Sequence, residues 1–350
     1  VSRPHVLFFA PSVAAVAVLS LAGCGLEEFP RAGAGGMGMP GPTPMPQPTP
    51  RPTPTPMPMP MPTPGMSMPG PGPGPAPAPT PPPSMPAPVP TGDGVVIGGT
   101  AVPRDKVIVF LHLGHSNMAG RTSTPPEMRP LNFETHPMLW AYAKGGAWRP
   151  AKEPLSGDYL TKGGAGPGMS ILRTALDLAP DAYLVSIGRG HDGSIGGYCR
   201  NFRKGALMYD YVMGPAIELK GRVRFGAIFT MLGVNEFRRD AANLTRFHEC
   251  LEGIAADMRG DLGDPDIPFL MGDWEAGATG AFDPTHDYAI TTKMQLRIAQ
   301  MNIRRSGIIA SDGLPMSDDH HYNLVGYKMW AERGFAILKM SGWIPWASNE

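Results

Sequence analysis

Residues 106–120 read KVIVFLHLGHSNMAG, an apolar run that gives way abruptly to a serine set among glycines. The first part, Lys106 to Leu113, is dominated by Val, Ile, Leu and Phe and shows no polar alternation. That pattern fits a strand covered on both faces better than one with a wet side. The second part, Gly114-His115-Ser116-Asn117-Met118-Ala119-Gly120, begins where the strand should end. A glycine-flanked Ser there can ride a tight turn with its hydroxyl exposed, or it can cap a helix that follows. Position alone leaves both open.

The same grammar repeats outward from this stretch. Tyr183 to Ile187 and Val223 to Leu232 read as buried strands, and Ile267 to Met271 and Gly307 to Ala310 as shorter ones. Between them, Met169 to Leu178, Ala241 to Met258, Tyr288 to Arg305 and Leu324 to Met340 carry apolar residues at helical spacing. Strands alternating with helices predict the α/β class, here a three-layer α/β/α arrangement with a central parallel sheet. Sheets of this kind bind their ligands at the carboxyl ends of the strands. The stretch from 93 to 350 is long enough for one substantial domain with its own core.

Other strand ends also carry polar groups. Gly233-Val234-Asn235-Glu236 follows the third long strand, where the Asn amide can donate to an oxyanion. Nearer the C-terminus stands Asp318-Asp319-His320-His321-Tyr322-Asn323. An Asp three residues before a His can hold one imidazole nitrogen and leave the other free to take a proton from a serine. Asp319 and His320 compete with Asp318 and His321 for those roles. His112 and His115 with His320 and His321 supply metal-ligand residue types, but their spacing matches no zinc pattern, so neither metal nor cofactor is expected. Asp273, Trp274 and Glu275 follow a strand, where they either line a cleft or pack a loop.

Residues 1–92 are of a different kind. Arg3 precedes an almost wholly apolar run from Val6 to Leu21, which ends in Leu21-Ala22-Gly23-Cys24. Residues 1–24 therefore resemble a bacterial lipoprotein signal peptide whose lipobox Cys24 would be acylated. Such a chain would be held at the cell envelope by a lipid anchor, periplasmic or surface-exposed. Of the chain's 43 Pro, 26 fall within residues 25–92, a Pro/Gly/Thr/Met-rich segment with almost no charge. It has too little branched apolar surface to fold and is expected to be a disordered, extended linker. Cys199 and Cys250 remain as an even pair, either a disulfide or two buried thiols. With 30 basic and 30 acidic residues, nothing points to nucleic acid as a partner.

Glycine-flanked Ser, Gly-x-Asn-acid and Asp-x-x-His, in that order, resemble the SGNH hydrolase superfamily. The Ser116 segment is similar to the sialate O-acetylesterase and carbohydrate acetylesterase branch, whose usual Gly-Gln-Ser-Asn-Met-Ala-Gly differs here only at His115. Gly166-Pro167-Gly168 and Gly193-Ser194-Ile195 match further landmarks of that branch. One block departs: Leu232-Gly233-Val234-Asn235-Glu236 stands where the branch has Gln-Gly-Glu-Ser-Asp, and is closer to the wider superfamily's Gly-x-Asn-Asp. The resemblance implies a carboxylic ester hydrolase acting on an acylated carbohydrate or another small ester. It assigns Ser116 as nucleophile, His321 as base, Asp318 as its partner, and Asn235, Gly168 and Gly193 as oxyanion-hole candidates. An acyltransferase with the same triad and a non-catalytic carbohydrate-binding protein on the same fold are the alternatives. The intact triad weighs against the second.

Overall fold

The computed structural model describes residues 93–120, 132–143, 145–155, 165–191, 198–234, 236, 244–273, 287–318 and 320–347. Residues 1–92, where a signal peptide, Cys24 and a linker are expected, lie outside them. The described residues belong to one compact unit. Among the described residues, no helix is long and apolar enough to cross a membrane.

A small antiparallel hairpin comes first, β1 (Gly94–Ile97) with β2 (Thr100–Pro103). The main sheet follows: β3 (Val107–Gly114), β4 (Leu139–Ala143), β5 (Ala147–Pro150), β6 (Tyr183–Gly190), β7 (Arg224–Met231), β8 (Phe269–Gly272) and β9 (Ser306–Ile309). Its spatial order is β5-β4-β6-β3-β7-β8-β9. The expected parallel sheet is therefore present with β3 at its centre, but it carries one antiparallel edge strand. Strands β4 and β5 form a hairpin, locked by the facing pair Tyr142 and Trp148, whose rings lie 4.5 Å apart. Cross-strand aromatic pairs of this kind stabilise a register.

The helices are α1 (Ser116–Ala119), α2 (Gly168–Leu178), α3 (Leu207–Glu218), α4 (Phe247–Leu262), α5 (Asp287–Asn302) and α6 (Leu324–Met340). Strand β3 explains why two layers are needed. Val107, Val109, Leu111 and Leu113 face a core shared with Met208, Val212, Phe247, Leu251, Leu296 and Ala299 of α3, α4 and α5. Ile108 and Phe110 face the opposite core, with Met118 of α1, Met169 and Leu172 of α2, and Tyr327, Trp330 and Phe335 of α6. Each face buries apolar area, at about 25 cal/mol per Å². Helix α3 escapes sequence periodicity because its apolar residues do not form one stripe and Pro215 sits inside it.

Candidate active site

The residue after β3 is fastened from both sides. His115 N–H donates to the Met231 carbonyl of β7 at 3.0 Å, and His191 N–H donates to the Gly114 carbonyl at 2.9 Å. Ser116 then opens the short helix α1. The side chain of His115 takes the capping role, its Nδ1 accepting the Asn117 N–H at 3.3 Å. This settles the choice left by the sequence, since the Ser116 hydroxyl is not the cap. Helix α1 lies directly on the end of β6: a Cβ added to Gly190 would stand 2.0 Å from the Ala119 nitrogen. Only glycine allows that approach.

The partner loop arrives from the far end of the chain. An isolated bridge pairs Met316 with Tyr322, and Ser317 N–H donates to the His321 carbonyl at 2.7 Å. His321 Nε2 lies 2.9 Å from Ser116 Oγ, and its Nδ1 lies 2.7 Å from Asp318 Oδ2. The other carboxylate oxygen, Oδ1, accepts N–H bonds from His321 at 2.7 Å and His320 at 2.9 Å. Burial pushes the Asp318 carboxyl up, but the His321 hydrogen bond and the two backbone N–H groups outweigh it and hold it below the usual carboxylate range. His321 is only 6% exposed. His320 instead packs its ring on His321, centroids 3.9 Å apart. Asp319 lies outside the described residues. Asp318, His320 and His321 are close enough to suggest a cation site, yet both His321 nitrogens already face other partners.

His115 is fully buried beside this pair. Desolvation first, then repulsion from His321 and His320, brings its pKa down to about 3. It therefore stays neutral beside the His321 ring. His112 is also driven down to about 3 by burial and lies 2.5 Å, Nε2 to Oγ, from Ser186. It is a core residue beneath the site.

The remaining site candidates fall unevenly. Asn235 and Gly193 lie outside the described residues, as do Trp274 and Glu275. Gly168 opens α2 and packs on Leu155 and on Glu153 Oε1. Sequence patterns gave no hint of Glu153. Its buried carboxyl accepts N–H bonds from Met169 at 2.8 Å, Leu155 at 2.9 Å and also Gly166. Gly166 in turn lies against α1: an added Cβ would approach the Met118 carbonyl to 2.9 Å. On the other flank, buried Glu236 accepts the Cys199 N–H, and Cys199 is disulfide-bonded to Cys250 with Cα atoms 6.2 Å apart. The two cysteines are thus a bridge rather than free thiols. Asp273 packs its loop, with its N–H on the Ile309 carbonyl at 2.8 Å and its carboxylate 3.7 Å from Lys293 Nζ. A cavity of about 570 Å³, lined by Arg224, Phe225, Arg305 and Trp343, sits at the amino ends of the strands, away from Ser116.

A central sheet between two helical layers, with Ser, His and Asp converging at the carboxyl end of its middle strand, defines an SGNH-type carboxylic ester hydrolase. A family profile described as "Carbohydrate esterase, sialic acid-specific acetylesterase" matches residues 106–335, well over half of the chain. The chain belongs to that family. Two solved structures share the fold: a protein from Arabidopsis thaliana (18% identity, TM-score 0.53, 68% of this chain and 99% of that one) and NanS (15% identity, TM-score 0.53, 69% and 99%). Comparison with curated proteins finds no match.

Proposed function

We propose that this enzyme removes acetyl or similarly short acyl groups from a carbohydrate through an acyl-enzyme formed on Ser116. The observation that carries the proposal is the continuous path from Ser116 Oγ to His321 Nε2 at 2.9 Å and from His321 Nδ1 to Asp318 Oδ2 at 2.7 Å. Ser116 Oγ attacks the acyl carbonyl carbon and passes its proton to His321 Nε2. The tetrahedral intermediate collapses, the bond from acyl carbon to sugar oxygen breaks, and the proton on Nε2 goes to the departing oxygen. Water then attacks the acyl-enzyme, gives a proton to Nε2, and releases the carboxylic acid while Ser116 regains its hydrogen. Asp318 keeps the imidazole in the required tautomer and steadies its cationic form. The Ser116 N–H with Asn235, Gly168 or Gly193 supplies the oxyanion donors, each worth about 100- to 1,000-fold in rate.

The test is acetate release from p-nitrophenyl acetate and from an acetylated oligosaccharide, beside Ser116→Ala and a fluorophosphonate probe. Hydrolysis and labelling that both vanish in the variant are expected. Equal turnover by the variant would sink the serine mechanism. We further propose that Cys24 carries lipid and that residues 25–92 act as a spacer, holding the esterase away from the membrane at the cell envelope. The motif Leu21-Ala22-Gly23-Cys24 after an apolar run supports this. A wild-type chain that takes up no label from a tagged fatty acid, or a Cys24→Ser chain that takes up as much as wild type, would refute the lipid.

A further inference from the structure

Ser116 and His321 are 205 residues apart in the chain and sit on separate elements. Asp318 and His321, by contrast, share one short loop. The two halves of the relay therefore need different means of alignment. Within the loop, Asp318 Oδ1 on the His320 and His321 N–H groups is sufficient. Between the loop and α1, a directional contact is needed that reaches the backbone of His321 itself.

Asn117, the neighbour of Ser116, makes that contact. Its Nδ2 donates to the His320 carbonyl at 2.8 Å, and its Oδ1 accepts the Tyr322 N–H at 3.0 Å. These are the peptide groups on either side of His321, so the carboxamide grips that residue by its backbone at two points. The same Oδ1 accepts the Tyr327 hydroxyl at 3.0 Å, which ties in the first turns of α6. Asn117 is 1% exposed, so bulk water does not stand in for any of these bonds. A carboxamide has the donor and the two acceptor lone pairs this geometry uses. A carboxylate lacks the donor and would set an oxygen against the His320 carbonyl.

We propose that Asn117 is a positioning residue that sets the Ser116–His321 separation, with Tyr327 holding it in place, and that it acts independently of the Asp318–His321 half. This rests on the acyl-enzyme reading above. Displacements of about 1 Å between reacting groups cost roughly 100-fold in rate.

The experiment uses the full chain as wild type, Ser116→Ala, Asn117→Asp and Tyr327→Phe. It measures kcat and KM on p-nitrophenyl acetate, the fluorophosphonate labelling rate, thermal unfolding, and the low-field imidazole N–H resonance of a His–Asp hydrogen bond. In Asn117→Asp, kcat and labelling are expected to fall roughly 100-fold with KM little changed and the low-field resonance retained. Tyr327→Phe is expected to fall about 3- to 10-fold in the same sense, because one of three bonds is lost. Wild-type labelling in Asn117→Asp, or loss of the resonance together with activity, would overturn the proposal. If Asn117→Asp does not fold, an unchanged kcat in Tyr327→Phe overturns it instead. Should Ser116→Ala match wild type, the acyl-enzyme reading itself fails, an outcome distinct from all of these.

Discussion

Glu153→Gln tests whether a buried acid holds the backbone packed near Ser116. Glu153 is 3% exposed and accepts backbone N–H bonds from Met169, Leu155 and Gly166. Burial raises its pKa and those bonds lower it, but burial dominates and the carboxyl sits at about 7 instead of 4.5. Its folded pKa exceeds its unfolded one, so between these values the folded protein binds more protons. The stability it contributes is fully present below pH 4.5 and is lost as pH rises through about 7. From pH 5 to pH 8 this loss amounts to about 2–3 kcal/mol. Gln does not titrate. Replacing one carboxylate oxygen by NH2 also turns a donor toward one of the amides, a fixed cost of about 1–3 kcal/mol. Whatever that offset, the variant must gain about 2–3 kcal/mol on wild type between pH 5 and pH 8, several degrees in Tm. Thermal and urea unfolding of both proteins at the two pH values, at matched ionic strength, measures the difference directly. A gap that does not move with pH would refute the assignment of a raised carboxyl pKa to this site.

Two further outcomes follow from the flanks of the site. The Cys199–Cys250 bridge closes a loop of sequence separation 51 between the segment after β6 and α4. Converting both residues to Ser should cost about 2–4 kcal/mol by chain entropy, read as a lower urea midpoint that reductant reproduces in the wild type but not in the variant. Gly188→Ala would put a Cβ 1.9 Å from His112 Cε1. The wholly buried ring has no room to retreat, so the variant should lose about 3 kcal/mol or more, measured by unfolding or by the soluble yield.

The layers were legible in the sequence because their signal is burial on both faces. Lys106 to Leu113 was expected as a strand and Val107–Gly114 is one; Leu324 to Met340 was expected as a helix and is one to the residue. What escaped detection were elements whose apolar residues are too few or too evenly spread to show a period. The β4–β5 hairpin has Ala, Trp and Tyr around a glycine turn, and α3 has an inserted proline. For the site, strand ends and spacing left alternatives open. It was the order of three motifs and the family resemblance that singled out Ser116, Asp318 and His321, which the structure brings within hydrogen-bond distance. The contacts of Glu153 and Asn117 were not readable, since most of their partners are backbone amides and carbonyls. Backbone groups carry no residue-type signature, so nothing in composition or spacing marks the side chain that will meet them.

That distinction bears on how the site is assembled. His321 arrives after β9, the far edge strand, three positions from β3 in the sheet. Helix α6 brings it back: Leu324, Tyr327, Trp330 and Phe335 bury in the same core as Met118, two residues after Ser116. Burial of this kind is strong but non-directional, roughly proportional to the area removed from water. It can return the loop to the neighbourhood of Ser116, yet it is nearly indifferent to a slide of half an ångström. Hydrogen bonds contribute only about 1 kcal/mol each, but they lose their energy steeply with angle and distance. The core of α6 therefore supplies most of the free energy that closes the site, while the three bonds of Asn117 supply its precision. Tyr327 belongs to both, its ring in the core and its hydroxyl on Asn117. Removing that hydroxyl should therefore loosen alignment more than it lowers stability, which separates the two contributions at a single atom.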